Sequence, residues 1–380
     1  MKMQLEDIAN YFPTGIASGD AFINRFEERE RLKRAILAKQ HTLLMAPRRY
    51  GKTSLLIRVA EEIGYPFCAM DLLPIHNEKS VTDIFVDTVG RLVMELLPPA
   101  QKAKETLLKI FKSMSPELTL STLGQKLSLR MPDAPNNIAN LFLHLDEVAV
   151  AFDKKAIVFI DEMQQIGFLE TGRSIEALIR HAVERSKNII YCFSGSSRHL
   201  LKNMFGDSTR PLYRLCSMME IGRISRDHYR PHLKNLAKER WGVAMSDELF
   251  DKLMQITEEH PFYINALCQN LWLEEHAPTI ERIEIVWDRY VKDNRGIIVD
   301  EVLGLTLNQK NVLASLAHAP IKEVYSGETM VSLKLTPASV HRVIDSLLER
   351  DLIYSDKNEA YTLLDPAIRY YFLNHSRLRL

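Results

Sequence analysis

The sequence predicts an α/β fold in which a parallel sheet carries helices on both faces, followed by an all-helical segment and a small helix–helix–hairpin unit. Three observations predict it. Short apolar runs recur at residues 41–45, 65–70, 154–160, 188–193 and 217–221, and such runs suit strands buried on both faces. Helical stretches separate them, the alternation that builds parallel sheets. From residue 226 to 294 the apolar residues recur at helical spacing instead, and a hairpin pattern returns only at 352–364.

In chain order, Phe26 to Leu37 reads as a helix with many charged residues on one side, and His41-Thr-Leu-Leu-Met45 as the first strand. Ala46-Pro47-Arg48-Arg49-Tyr50-Gly51-Lys52-Thr53 joins that strand to a helix over 52–63, which continues through Ser54. Strand, loop and helix in this order are the context a phosphate-binding P-loop requires. Backbone N–H groups of the loop curl around a β-phosphate, and the helix N-terminus points its positive dipole end at the anion. Lys52 would bridge β- and γ-phosphate oxygens, and the Thr53 hydroxyl would ligate Mg²⁺. Ala46 stands where the pattern has its first glycine, which the loop tolerates if that residue needs no positive φ. The competing reading is a chance Gly-Lys-Thr in a basic turn.

Tyr65-Pro-Phe-Cys-Ala-Met70 reads as a second buried strand ending at Asp71. Helices are expected over 80–97 and 100–113, broken by Pro98-Pro99. Residues 114–135, rich in Ser, Pro and Thr, read as an irregular excursion before a helix over 136–152. Lys154-Lys-Ala-Ile-Val-Phe-Ile160 is then a strand ending in Asp161-Glu162. Carboxylates at the carboxyl end of such a strand sit where open α/β sheets bind ligands. Asp161 would hold Mg²⁺ through its water shell, while Glu162 would orient and deprotonate the attacking water. The alternative is a capping Asp followed by a first-turn Glu, since Met163-Gln-Gln-Ile can open a helix. Paired with a P-loop about 110 residues upstream, the carboxylates favour hydrolysis of ATP to ADP and phosphate.

A helix over 173–186 leads to the strand 188–193 and then to Ser194-Gly-Ser-Ser197. A polar side chain there, Ser194 first, can hold the attacking water; a plain Gly/Ser turn is the alternative. Ser208-Thr-Arg-Pro-Leu-Tyr-Arg214 places two arginines just before the last strand. A guanidinium at either position can neutralise charge on the transferring phosphoryl group, in cis or from a neighbouring subunit. A solvated or ion-paired arginine is the competing reading for each.

Composition agrees with a water-soluble enzyme. The chain has 380 residues, with Lys+Arg and Asp+Glu both 49 and a formal net charge of zero. Nothing global therefore argues for nucleic-acid binding. No apolar run approaches the length of a membrane span, and the first residues lack the apolar stretch of a signal peptide. Cys68, Cys192, Cys216 and Cys268 form no C-x-x-C pair, which suggests buried thiols in a reducing cytoplasm.

Between 226 and 294, Leu249-Phe250, Leu253-Met254 and Ile256 repeat at helical spacing, as do Phe262, Ile264, Leu267, Leu271 and Trp272. These read as the core of a helical unit. Beyond it, Asn308–Leu316 is helix-like, and Thr336 to Arg350 begins with a capped, Pro-initiated turn. A hairpin over Leu352–Leu364 with Asp356-Lys-Asn-Glu359 at its tip completes a winged-helix pattern. Ser339, His341, Arg342, Asp345, Glu349 and Arg350 are the candidate exposed residues of the 336–350 helix, a mixed set rather than a basic face. Residues 300–380 carry nine Lys/Arg against ten Asp/Glu, whereas a groove-reading domain normally shows a clear positive excess. Arg369, Arg377 and Arg379 could touch phosphates. DNA binding and a protein-contact or autoinhibitory role both stay open.

The segments APRRYGKTSLL, AIVFIDEMQQI, YCFSGSS, STRPLYRL and EHPFYINALCQNLW follow one another along the chain. In that order they resemble archaeal-type P-loop ATPases of the STAND/AAA+-like group, and the resemblance covers residues 15–380. FINRFEERERL (Phe22–Leu32) is similar to that group's Phe-x-x-Arg-x-x-Glu box ahead of the P-loop. The resemblance implies a P-loop ATPase domain over 1–225, a helical lid over 226–294 and a winged helix over 295–380. It also implies that Pro261 approaches the nucleotide base, as in the group's Gly-x-Pro lid motif, here Glu259-His260-Pro261. Arg214 matches the group's arginine near the final strand, with Tyr213 replacing the usual preceding glycine. The implied activity is an ATP-hydrolysing switch using Mg²⁺, located in the cytoplasm. A further protein, DNA or copies of the chain itself are its implied partners, and a membrane is not. A nucleotide-locked scaffold with negligible turnover and a DNA-associated or mobile-element ATPase are the alternatives, and the intact Glu162 favours the switch.

Overall fold

The computed structural model describes residues 4–23, 25–98, 106, 109–111, 116–121, 124–129, 137–324, 326–333, 335–355 and 360–374. The chain divides into two compact bodies. One comprises Arg25–Arg48 and Lys52–Ile221, the other Met1–Asn24, Arg49–Gly51 and Gly222–Leu380.

The first body is built on β1 (Thr42–Met45) and β2 (Phe67–Asp71), a separate antiparallel hairpin of β3 (Pro116–Ser121) and β4 (Gly124–Leu129), and then β5 (Ala156–Asp161), β6 (Ile189–Gly195) and β7 (Ser217–Glu220). Five of these form one sheet in the order β2-β5-β6-β1-β7, with every pair parallel. All residues of β1 and β6 are buried, as are five of the six in β5. The edge strand β2 buries Cys68 and Met70 but exposes Ala69 and Asp71. That contrast explains why the central strands are unbroken apolar runs.

Helices Phe26–Leu37, Lys52–Ile63, Glu78–Leu96, Asn137–Ala151, Gly172–Val183 and Arg198–Gly206 belong to the same body. Its core gathers Phe85, Leu92, Phe142, Tyr191, Phe193 and Phe205, all fully buried or nearly so. Each such side chain contributes roughly 1.5–3 kcal/mol through burial. Local polar contacts set the element starts. Asn77 accepts from Ser80 N at 2.8 Å and caps the helix Glu78–Leu96. The Asp146 carboxylate accepts from the backbone N–H of Lys187, Asn188 and Ile189 and so pins the entry to β6.

The connection leaving β1 runs to β2 on one side, and that leaving β6 runs past β1 to β7 on the other. Adjacent strands whose connections diverge leave a crevice at their carboxyl ends, where α/β sheets bind ligands.

Three features depart from the sequence expectation. Residues 116–129 pair as a hairpin within the stretch read as irregular. The alternation of Leu118 with Leu120, and of Leu127 with Leu129, is present in the sequence, but Thr122-Leu123 between them carries no hairpin turn signal. Strand β6 continues through Ser194 and Gly195 instead of stopping at Phe193, and the short helices Met163–Phe168 and Arg198–Gly206 follow β5 and β6. Most of the helix expected over 100–113, and the hairpin tip 356–359, lie outside the described residues.

The second body contains helices Arg226–Trp241, Asp247–Ile256, Pro261–Trp272 and Ile280–Asp293, which form the helical lid. Ser225, Ser246 and Thr279 each cap a helix by accepting a backbone N–H, as such residues do at helix starts. Tyr229, Phe250, Trp272 and Trp287 fill its core, joined by Phe12 from the short helix region Ile8–Tyr11. Helix Arg295–Leu303 leads to the winged helix, made of Leu307–His318, Gly327–Leu333, Pro337–Glu349 and the hairpin of β8 (Ile353–Ser355) and β9 (Tyr361–Leu363). A bridge between Ile321 and Tyr361 adds a third extended segment, and helix Pro366–Asn374 follows. No helix among the described residues is long and apolar enough to cross a membrane.

Candidate functional site

The P-loop follows β1 directly. Ala46 and Pro47 are buried, and Ala46 is absent from the positive-φ residues of the chain, so the missing glycine costs the loop nothing there. Gly51 does take φ +82° immediately before the helix Lys52–Ile63, a conformation that disfavours any side chain. Lys52 is 6 % exposed, and its ammonium donates to the carbonyl oxygens of Ala46 at 3.0 Å and Pro47 at 3.3 Å. The cation is thereby held inside the loop at the first turn of a helix, where the backbone dipole also attracts an anion. Ser54 is buried in that first turn. Arg48 is exposed and reaches Ser196, its Nε lying 3.4 Å from the hydroxyl.

Asp161 closes β5 and meets the P-loop helix. The Thr53 hydroxyl donates to Asp161 Oδ2 at 3.1 Å, and the buried Ser194 hydroxyl donates to Asp161 Oδ1. A hydroxyl and a carboxylate converging in this way are hard oxygen donors, the set that suits Mg²⁺ completed by phosphate oxygens and water.

Glu162 takes φ 55°, ψ 42°, a left-handed conformation uncommon for a residue with a side chain. Its carboxylate accepts from the Ser196 hydroxyl at 2.8 Å and from the Ser196 N–H at 3.3 Å, and Gln164 Nε2 donates to the same oxygen. Gln164 is 4 % exposed, and its amide oxygen is buried with no donor among the described residues. A Cβ on Gly195 would stand 2.0 Å from that oxygen, so the glycine makes room for the amide. Gln164 was not anticipated as a site residue, whereas Ser196 belongs to the Ser194–Ser197 stretch, where Ser194 is the first candidate. The signal for Gln164 is a pair of amides placed directly after the Asp161-Glu162 pair and Met163.

The two arginines near β7 differ. Arg210 is bound through two of its nitrogens to Glu176, which is fully buried. Burial raises the Glu176 carboxyl above its ordinary value, and Arg210 pulls against that rise. Arg214 is exposed, takes φ 54° and lays its guanidinium 5.0 Å from the Tyr213 ring centroid. It lies before β7, whose first residue Ser217 donates its N–H to His41 O at the amino end of β1. Arg214 thus lies three residues ahead of the amino end of β7, whereas the P-loop leaves the carboxyl end of β1. Four strand residues alone span roughly 13 Å.

Pro261 is the first residue of the helix Pro261–Trp272 and is buried. Glu258 and Glu259 before it take φ 49° and 57°, so Glu259, at the position where the resembled group carries glycine, is left-handed. His260 is 4 % exposed, 4.8 Å from the Tyr50 ring, and its Nδ1 is buried with no partner among the described residues. Burial, with Arg223 and Arg49 nearby, lowers its pKa to about 3. Arg49, Tyr50 and Gly51 belong to the same body as these residues. The Arg49 guanidinium lies 4.1 Å from the Phe262 centroid, and Arg223 Nε donates to the Tyr50 hydroxyl at 3.1 Å.

On the winged helix, His341 pairs with Asp345, while Arg342, Glu349 and Arg350 are exposed. Arg369 does not face outward as a phosphate contact would. It is tied to Glu258 and to the carbonyl oxygens of Leu316 and Ala317. Arg377 and Arg379 lie outside the described residues.

No protein-family model matches the sequence, and no curated protein does either. Solved structures do match in shape. The Walker-type ATPase PABY2304 of Pyrococcus abyssi superposes with a TM-score of 0.69 at 17 % identity, over 93 % of this chain and 97 % of that one. The chain has the fold of a P-loop ATPase. The ORC2 protein of Aeropyrum pernix, solved in ADPNP–ADP complexes, gives a TM-score of 0.52 at 13 % identity, covering 96 % of this chain and 95 % of that one. Its ADP form gives 0.51 at 11 % identity, over 96 % and 97 %. The fold shared with these structures, a parallel sheet with a P-loop followed by a helical lid and a winged helix, thus spans nearly the whole chain.

Proposed function

We propose that this protein binds ATP with Mg²⁺ and hydrolyses it. The observation that carries the reading is the 3.1 Å hydrogen bond from Thr53, on the first turn of the P-loop helix, to Asp161 at the carboxyl end of β5; Lys52 and Glu162 are the chain neighbours of these two. A fold shared with a Walker-type ATPase and with a protein solved in ADPNP–ADP complexes supports the same class of ligand.

In this reading the backbone of 46–51 and the helix N-terminus at Lys52–Ser54 cradle the phosphates, and Lys52 moves from loop carbonyls to phosphate oxygens. Thr53 and Asp161 hold Mg²⁺, which when bound neutralises charge on the β- and γ-phosphates. Glu162 takes the proton of the attacking water, and Ser194 keeps Asp161 oriented. Glu162 first has to turn from Ser196 and Gln164, so those two residues set when the base is available. Pro261 is the lid residue proposed to approach the base, as the resemblance implies. Arg214 serves the site of a second copy in this reading, since it precedes the amino end of β7 while its own P-loop leaves the carboxyl end of β1.

The chain then works as a switch of three domains, an ATPase domain over 1–225, a lid over 226–294 and a winged helix over 295–380, with the last two shifting as nucleotide is hydrolysed. ATP turnover measured alone, with duplex DNA and with added copies of the chain tests the reading. Steady hydrolysis that Lys52→Ala abolishes supports it. Tight nucleotide binding without turnover under all three conditions makes the protein a nucleotide-locked scaffold instead.

A further inference from the structure

Glu176 and Arg180 lie one turn apart on the helix Gly172–Val183 and so share a face. Both reach the segment that leads to Arg214. Glu176 holds the Arg210 side chain. Arg180 Nη1 donates to Pro211 O at 2.6 Å and to Tyr213 O at 3.0 Å. Those two carbonyls bracket Leu212, which is fully buried. Arg180 is itself steadied by Glu184 at 2.7 Å. Arg214 N donates to Phe205 O at 3.0 Å, which locks the left-handed residue from the other side. The helix that supplies both holders starts at Gly172, where a Cβ would stand 2.2 Å from Ile166 O. It is thus seated directly on the segment that follows Glu162.

A solvent-exposed arginine needs no such scaffold for solubility alone. The loop spends a buried ion pair and a two-carbonyl clamp on fixing the backbone on either side of one outward-facing guanidinium. We propose that Arg180, with the Glu176–Arg210 pair, is a positioning residue that presents Arg214 to the terminal phosphates of a nucleoside triphosphate bound by a second copy of this chain. This rests on Arg214 acting in trans. A guanidinium misplaced by about 1 Å costs on the order of 10² in rate, so loosening the clamp is expected to reduce turnover without touching the subunit's own P-loop.

Mixing experiments on the full-length chain separate the two ideas. Arg214→Ala mixed with Lys52→Ala tests the trans reading, and Arg180→Ala mixed with Lys52→Ala tests the positioning role. Arg180→Ala alone is expected to bind ATP with wild-type affinity and to hydrolyse it roughly 10²-fold more slowly. Both mixtures are expected to regain turnover, because each pairs an intact P-loop with a properly held Arg214. Arg180→Ala mixed with Arg214→Ala is expected to regain none. If the first mixture recovers but Arg180→Ala is either fully active alone or not rescued by Lys52→Ala, the positioning role is overturned. If the first mixture fails, the trans reading falls and takes the inference with it. Should Arg180→Ala lose ATP affinity, Arg180→Met, which keeps the stem but removes the donors, carries the same test.

Discussion

Replacing Arg210 by Met removes the ionic partner of a carboxylate that has no access to solvent. Glu176 is fully buried, and Arg210 reaches it with two nitrogens, Nε lying 3.2 Å from Oε2. Breaking a buried pair from one side costs about 3–5 kcal/mol, because the surviving charge is left uncompensated. For a body of this size each kcal/mol lowers the melting temperature by about 2–4 °C, so a fall of ~10 °C at pH 7 is expected. The sign of the pH dependence follows from Glu176. Its folded pKa lies above the ordinary carboxylate value because of burial, and losing Arg210 raises it further. A group raised in this way stabilises the fold when protonated, below about pH 4.3, and loses that contribution as pH rises through its folded value. The deficit of Arg210→Met relative to wild type therefore shrinks on acidification. Adding Glu176→Leu removes the stranded charge and is expected to restore much of the loss. Thermal unfolding of the three proteins between pH 4 and 8 measures this. An Arg210→Met protein melting within about 2 °C of wild type at pH 7, or a deficit independent of pH, refutes the reasoning.

Lys52→Ala removes the cation held at the loop carbonyls, and isothermal calorimetry is expected to find no ATP binding; near-wild-type affinity would overturn the P-loop reading. His260, with its pKa lowered to about 3, stabilises the fold when neutral, a contribution present above about pH 6.5 and lost as pH falls toward 3. At about 1.4 kcal/mol per pH unit between the two values this is on the order of 5 kcal/mol. Urea midpoints of His260→Phe should consequently fall less between pH 7 and pH 4 than those of wild type, and identical slopes would exclude His260. Burial pushes the Cys192 thiol up to about 12 and raises Cys68, Cys216 and Cys268 as well. A thiol reagent at pH 8 should label the folded protein very slowly and all four cysteines in guanidinium; a fast burst in the folded state would contradict this.

Much of the sheet is legible in the residues themselves. The helices Phe26–Leu37 and Lys52–Ile63 begin and end where the pattern puts them, because a charged face or a Gly-Lys-Thr start marks the boundary. Strands buried on both faces announce themselves as apolar runs, which is how β1, β5 and β6 are found. The hairpin 116–129 and the helix Arg198–Gly206 carry weaker periodicity and no strong turn signal, so pairing and packing decide them. At the site, Lys52, Thr53, Asp161 and Glu162 are readable because their spacing is set by local chemistry. Gln164 and Ser196 lie in stretches that stand out in the sequence, but their contact with each other, like those of Glu176 and Arg180, crosses the fold and is set by no local pattern. Arg369 illustrates the reverse error, since a basic residue near the C-terminus reads as a phosphate contact but is a half-buried clamp for Glu258.

Single-turnover hydrolysis by Glu162→Gln, set beside its ATP affinity, tests the central claim most directly. The account predicts affinity close to wild type, because the phosphates are held by the P-loop, Thr53 and Asp161, together with hydrolysis slowed by a factor on the order of 10² or more, as loss of a positioned base produces. Hydrolysis at the wild-type rate would contradict it.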